Sequence, residues 1–179
     1  MAEIKSSIEI AMEKTKGLIL SREEMQKIKD EELRTKAQSL VHRFLEVDFH
    51  LREVEKELAK LEADQKKILE KLIWQQLLEA LDLDRDNDLI LEGLATLRPE
   101  SSPLLKELKT LLAEYQQKKN SAFAETTAVI LKNLEKKGIS GTALQPKVAE
   151  SKEWAEVVAK IKLPLAPKLQ KFQEELKSM

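Results

Sequence analysis

The chain has 179 residues, of which 35% are charged and 4% aromatic, and its 31 basic and 32 acidic side chains give a net charge of −1. It contains no cysteine, which excludes disulfide scaffolds, thiolate zinc sites, iron–sulfur clusters and cysteine catalysis. No apolar run approaches the roughly 18 residues that a membrane span requires. The first nine residues lack the basic stretch and apolar core of a secretory signal peptide. We therefore expect a cytoplasmic protein that does not bind a membrane.

The first 21 residues are predicted to form a short helix. Ile4, Ile8, Ala11 and Met12 follow helical spacing, and Gly17 comes shortly after them. Ser21, with a glutamate three residues later, has the pattern of a capping box. A second helix should therefore begin directly after Ser21.

The segment from residue 22 to residue 81 contains neither glycine nor proline. About 60 helical residues would span about 90 Å, so the segment forms either a projecting rod or separate helices joined without a visible breaker. We predict a coiled-coil arm over residues 22–67.

A heptad pattern supports this arm, because apolar residues recur at alternating spacings of four and three. Only two glutamines interrupt the pattern, and its mixture of residue types favours antiparallel pairing or a multi-helix bundle over a parallel dimer. The seam consists of Leu33, Ala37, Leu40, Phe44, Val47, Leu51, Val54, Leu58, Leu61, Gln65, Ile68, Leu72 and Gln75. We assign partner binding to its middle part, Leu40, Phe44, Val47, Leu51, Val54, Leu58 and Leu61.

Residues 68–137 are predicted to form a helical bundle. Apolar residues cover most of the helix circumference over residues 68–81, which indicates burial on all sides. A short helix is expected over residues 89–97. A helix of about 35 residues should begin with Ser102 as its N-cap and fold back along the distal half of the long segment 22–81. Gly138 after two lysines is a typical C-terminal stop.

Residues 138–179 are predicted to form a connector and C-terminal amphipathic helices, with Ser151 as an N-cap and Trp154 on an apolar face. Residues 1–100 hold 17 basic and 23 acidic side chains, whereas residues 101–179 hold 14 basic and 9 acidic ones. The two halves should attract each other, which suits a fold-back.

The acidic loop, residues 82–88, is the best candidate for a metal site. Aspartates occupy every second position, as oxygen ligands do in EF-hand calcium loops, and the candidate ligands are Asp82, Asp84, Asp86, Asp88 and Glu92. However, Asn87 stands where such loops have glycine, and Gly93 stands where they have the bidentate glutamate. The alternative is a solvated turn in which Asn87 or Asp88 caps the next helix.

Other chemistry finds little support in the sequence. The only G-x-x-G pattern lacks the strand and the lysine of a phosphate-binding loop, and no grouping of histidine, serine and carboxylate suggests catalysis. Two lysine clusters, around residues 132–147 and 160–171, are interpreted as solubilising, so we do not expect nucleic-acid binding. No cofactor is predicted apart from the calcium alternative.

Several short stretches resemble an uncharacterised family of small bacterial helical proteins. The stretches are residues 3–16, residues 20–24, Lys137-Gly-Ile-Ser-Gly-Thr-Ala-Leu-Gln-Pro146 and the Glu153–Trp154 pair. The resemblance implies a bacterial cytoplasmic origin, and it carries over no catalytic residue.

Together these patterns predict an all-α protein in which a long coiled-coil helix joins a helical bundle. We expect a non-enzymatic scaffold or adaptor that binds a protein partner, or itself as a homo-oligomer, through coiled-coil contacts. The alternative is a calcium-responsive helical protein that uses the loop Asp82–Asp88.

Overall fold

The computed structural model describes residues 21–46, 51–139, 141 and 144–179, and these residues contain helices but no β-strand. The predicted N-terminal helix lies almost entirely outside the described residues. Two short 3-10 turns, Pro99–Ser101 and Val148–Glu150, precede helices. The helices are α1 (Arg22–Leu45), α2 (Leu51–Ala59), α3 (Ala63–Glu79), α4 (Asp88–Leu97), α5 (Ser102–Lys136), α6 (Lys152–Lys162) and α7 (Ala166–Ser178).

The chain divides into two compact units, one that ends at Ile73 and one that begins at Trp74. The division falls within α3, a few residues after the predicted boundary between arm and bundle. None of the helices in the described ranges is long and apolar enough to cross a lipid bilayer.

In the first unit, α1 and α2 form a hairpin instead of one continuous helix. Lys36 Nζ lies 3.3 Å from Glu57 Oε2, although residues 21 apart on a single helix would be separated by about 32 Å. The predicted arm over residues 22–67 is therefore interrupted. Of the two alternatives, the segment forms separate helices that are joined without glycine or proline. The capping box predicted at Ser21 is present, with Ser21 and Glu24 bonded to each other's backbone N–H groups.

A second interruption separates α2 from α3 at residues 60–62. The seam is buried on the N-terminal side of this break at Leu33, Ala37, Leu40, Phe44, Val54 and Leu58, but Ile68 beyond it is 41% exposed and Leu69 is fully buried. Seam positions are buried on both sides of the gap between α1 and α2, at Phe44 and Val54, but not beyond the gap between α2 and α3. In α3, Leu69 and Ile73 are buried instead, each one residue after a predicted position. The predicted seam is therefore displaced by one residue in α3.

The core of the second unit forms where α3, α4, α5 and α7 bury their apolar faces. Trp74 is 2% exposed, and its indole N–H donates to the carbonyl of Leu176 in α7 at 3.1 Å. The guanidinium of Arg98 lies 4.6 Å from the Trp74 ring centroid, and Gln173 donates to the carbonyl of Leu78 at 2.7 Å. The two hydrogen bonds fix the C-terminal helix on the second half of α3, and the Arg98 contact joins the end of α4 to the same tryptophan.

Helix α5 runs for 35 residues without a break, as predicted, and ends at Lys136, two residues before Gly138. The Gly138 N–H bonds to the carbonyl of Glu135 and the Ile139 N–H to that of Leu134, while Gly138 has a φ of +78°. This is a Schellman ending, which needs a left-handed residue. The predicted N-cap of α5 is wrong, because Ser102 is already helical and Ser101 holds the cap position without a side-chain cap bond.

Candidate functional site

The acidic loop between α3 and α4 is closed by the side chain of Asn87, which is 6% exposed. Its amide accepts the Asp82 N–H at 3.2 Å and donates to the carbonyls of Asp82 and Arg85 at 2.7 and 2.8 Å. The predicted helix cap therefore does not form, although Asn87 holds the N-cap position of α4. The buried amide instead supports the loop from inside.

Within the loop, alternate aspartates stabilise local turns. The Asp82 carboxylate accepts the Asp84 N–H at 2.7 Å, and the Asp86 carboxylate accepts the Asp88 N–H at 3.0 Å. Aspartate commonly bonds the backbone two residues onward in this way. The alternation of Asp and other residues thus has a conformational role in the loop.

Asp84 connects the loop to two other helices. Its Oδ1 accepts the Tyr115 hydroxyl at 2.5 Å and the Lys119 ammonium at 2.7 Å, both from α5. Its Oδ2 forms an ion pair with Lys162, the last residue of α6. One carboxylate therefore joins the loop to α5 and α6.

The electrostatics of this cluster follow from these contacts. Partial burial raises the pKa of Asp84, but the hydrogen bonds from Lys119, Lys162 and Tyr115 outweigh it and hold that pKa far below its usual value. Burial, followed by the bond to Asp84, raises the pKa of Tyr115 above its usual value. The bond to Asp84 likewise raises the pKa of Lys162. Each group is thus kept in its ordinary charge state at neutral pH.

The five predicted calcium ligands are not gathered around one point. Across the described ranges, no three carboxylate or imidazole side chains lie close enough together to hold a metal ion. A calcium ion at Asp84 would have to compete with Lys119 and Lys162 for the same oxygens. Glu92 lies on the exposed side of α4. Calcium binding by this loop stays a prediction.

The seam assigned to partner binding is largely covered within the chain. Leu40, Phe44, Val54 and Leu58 are each at most 5% exposed, and Leu61 is half-buried in the turn after α2. Val47 and the side chain of Leu51 lie outside the described residues. A helix could reach the four buried residues only if this part of the first unit opened.

A groove between α5 and α6 offers apolar surface that is accessible without such opening. At one end, the rings of Phe123 and Trp154 meet edge to face, with centroids 5.1 Å apart and an interplanar angle of 88°. At the other end, Lys162 of α6 reaches Asp84. The N-cap predicted at Ser151 is confirmed, since its hydroxyl accepts the Trp154 N–H at 3.1 Å. Helix α6 is therefore held on α5 directly at its Trp154 end, and through Asp84 at its Lys162 end.

The groove has a volume of about 570 Å3. Its apolar lining consists of half-buried Ala122, Val157 and Ile161, and its polar lining alternates acidic and basic side chains. Half-buried apolar residues surrounded by exposed charges are typical of a surface that receives a helix. The polar residues along the groove are Glu114, Gln117, Lys118, Ser121, Glu125 and Lys160.

The groove could not be identified from the heptad pattern, which drew attention to the other half of the chain. Lys162 belonged to a lysine cluster that was interpreted as solubilising, Lys119 counted only toward the charge of the basic half, and the charge imbalance could not say which lysine meets Asp84. A usable signal was present in α5, where charged residues recur at helical spacing around the small pair Ser121 and Ala122. This face is neither wholly polar nor apolar enough to be core.

Comparison with known protein families, curated proteins and solved structures found no match for this chain.

Proposed function

We propose that this chain is a non-enzymatic helical scaffold or adaptor whose groove between α5 and α6 binds a protein helix, either from another protein or from a second copy of the chain. The observation that carries the proposal is the groove itself, an open apolar lining between two helices that are held together directly at one end and through Asp84 at the other. A preformed groove binds a helix with little ordering cost, because its side chains are already positioned. The apolar lining supplies affinity, and the charges along it set the register.

The proposal moves the binding surface away from the heptad seam. Docking on Leu40 or Phe44 would require the side chains that cover them to separate, which exposes apolar surface before any is buried again. At about 25 cal/mol per Å2 of apolar surface, that step opposes binding. The groove between α5 and α6 demands no such separation.

Asp84, Tyr115, Lys119 and Lys162 form a cluster, and its proposed structural role is to maintain the shape of the groove. Lys162 ends α6, and its ion pair with Asp84 sets the position of that end relative to α5. The cluster has no free base, because every Asp84 oxygen is engaged by Tyr115, Lys119 or Lys162. We therefore assign these residues to architecture and not to catalysis.

The proposal is tested by site-specific photo-crosslinking in the cells that express the protein. A benzophenone amino acid replaces Ala122 in the groove, and a matched chain carries it at Asn133, an exposed residue of the same helix outside the groove. We expect a discrete adduct from position 122 that disappears when Ile161→Glu is added, and none from position 133. The absence of an adduct at 122, or an adduct unchanged by Ile161→Glu, would contradict the proposal.

A further inference from the structure

We infer that the groove between α5 and α6 receives a second copy of this chain, whose α5 lies antiparallel to the first α5 across a two-fold axis between Ser121 and Ala122. The inference rests on the proposed function and names the occupant of the same groove. In this arrangement each copy presents the same surface to the other, as in most homodimers.

The centre of the proposed contact has the small side chains that close helix packing requires. Ser121 and Ala122 both line the groove and are adjacent in sequence. Neighbouring helix axes lie 8–10 Å apart depending on the side chains between them, and small residues allow the lower end of this range. Two copies can therefore approach most closely at this point of α5.

The charges on either side of this centre are complementary under the two-fold axis. Lys118 and Glu125 both line the groove, are exposed, and lie at equal distances before and after the Ser121–Ala122 pair. An antiparallel second copy brings its Glu125 opposite Lys118 of the first, and its Lys118 opposite Glu125 of the first. The same surface thus provides two ion pairs with itself.

The neighbouring glutamate specifies this register. Glu114 lies one helical turn before Lys118 and pairs with it at 2.7 Å within the chain. If the second copy slid by one turn so that Lys118 faced Ser121, Glu114 would lie opposite Glu125 of the other copy. Like charges placed opposite each other disfavour that register.

The apolar lining gives the contact its driving force. Val157 and Ile161 of α6 are half-buried beside Ala122, and an α5 helix from a second copy would cover them. The symmetric arrangement buries both grooves at once and produces four helices, two α5 and two α6, packed as a bundle. The net charge of −1 causes little repulsion between the two copies.

Charge reversal on the full-length chain tests the two ion pairs. In Lys118→Glu, both symmetric pairs become like-charged, and Glu125→Lys has the same effect with the opposite sign. Each single variant replaces two attractive pairs with two repulsive ones, so we expect it to weaken self-association about tenfold or more. Sedimentation equilibrium measures the dissociation constant, and circular dichroism checks that helix content is retained.

The decisive experiment mixes the two variants. A Lys118→Glu copy beside a Glu125→Lys copy restores both ion pairs, so the equimolar mixture should associate within a few-fold of the wild-type constant although each variant alone does not. A mixture no tighter than its components overturns the inference, as does a wild-type chain that stays monomeric up to about 0.1 mM, well above typical specific affinities. A monomeric chain with a photo-adduct of another protein at position 122 also overturns it while leaving the proposed function intact.

Cysteine crosslinking tests the geometry independently, because the chain has no cysteine of its own. In Ala122→Cys, the two introduced thiols would lie next to the two-fold axis, where the short separation needed for a disulfide is available. We expect a covalent dimer on mild oxidation, and none from the control Asn133→Cys. Equal crosslinking at the two positions would overturn the proposed axis.

Discussion

At the scale of single residues, Asp84 is the side chain that links the acidic loop to both α5 and α6. It lies in a loop, yet it receives a phenol hydroxyl and two ammonium groups from helices that are distant in sequence. Charge-assisted hydrogen bonds are roughly twice as strong as neutral ones. The sequence showed four similar aspartates, and nothing in their spacing distinguished Asp84 from its neighbours.

Asp84→Asn should destabilise the protein by about 1–2 kcal/mol, since it removes the negative charge that faces Lys119 and Lys162. The expected loss of unfolding free energy is small because the Asp84 side chain is about a third exposed and water screens part of the interaction. Asp86→Asn is the matched control, because Asp86 bonds only a backbone N–H within the loop. Urea denaturation of both variants measures the difference, and equal costs would contradict the role assigned to Asp84.

The lowered pKa of Asp84 gives this stabilisation a defined pH dependence. A carboxyl group whose folded-state pKa is depressed stabilises the protein above its unfolded-state pKa of about 3.9, and loses that contribution as the pH falls below it. The difference in unfolding free energy between wild type and Asp84→Asn should therefore be constant between about pH 5 and 8 and shrink below about pH 4. Denaturant titrations at several pH values measure it, and a difference that grows on acidification would contradict the assignment.

At the scale of secondary structure, local signals predicted helix ends well and breaks poorly. The capping box at Ser21, the N-cap at Ser151 and the stop at Gly138 were all predicted from side chains that act on their own backbone. The interruption at residues 60–62 has no such signal, because the segment contains neither glycine nor proline. The heptad pattern, read as if the helix were continuous, therefore gave the wrong buried positions beyond Leu58.

Gly138→Ala should cost about 1 kcal/mol, because alanine is strained in the left-handed conformation that ends α5. No atom lies within 4 Å of the position an added Cβ would occupy, so the cost is one of backbone conformation and not of crowding. Gly138→Asn should cost less, since asparagine tolerates this conformation better. Thermal denaturation of both variants measures the order, and an equal or larger cost for asparagine would contradict it.

The hairpin of α1 and α2 predicts a short distance between residues that are far apart in sequence. Two spin labels are attached to one chain at Lys36→Cys and Glu57→Cys. The distance between them should be well below the value of about 32 Å that a continuous helix would impose, because the native side chains are 3.3 Å apart. Electron paramagnetic resonance distance measurement, with labelled chain diluted in unlabelled chain, checks this. A distribution centred near 32 Å would restore the continuous arm.

At the scale of the whole molecule, composition and periodicity predicted an all-helical chain but not where it exposes apolar surface. The strongest apolar pattern, the heptad seam, is the surface that the chain covers itself, at Leu40, Phe44, Val54 and Leu58. The groove depends on α6 lying beside α5, a tertiary contact made by Trp154 and Lys162 with residues 31 and 78 positions away along the chain. Single-sequence patterns do not specify such contacts.

If the groove between α5 and α6 is an interface between two copies of this chain, the wild type and Ala122→Glu must differ in mass in sedimentation equilibrium. We predict a wild-type mass that approaches twice 20.5 kDa as concentration rises, and a monomer for Ala122→Glu, because a charge would be buried at the two-fold axis. Ile28→Glu, at an exposed apolar residue of α1, should leave the dimer unchanged. A wild-type monomer at all concentrations, or a dimer that Ala122→Glu does not weaken, would contradict an interface at this groove.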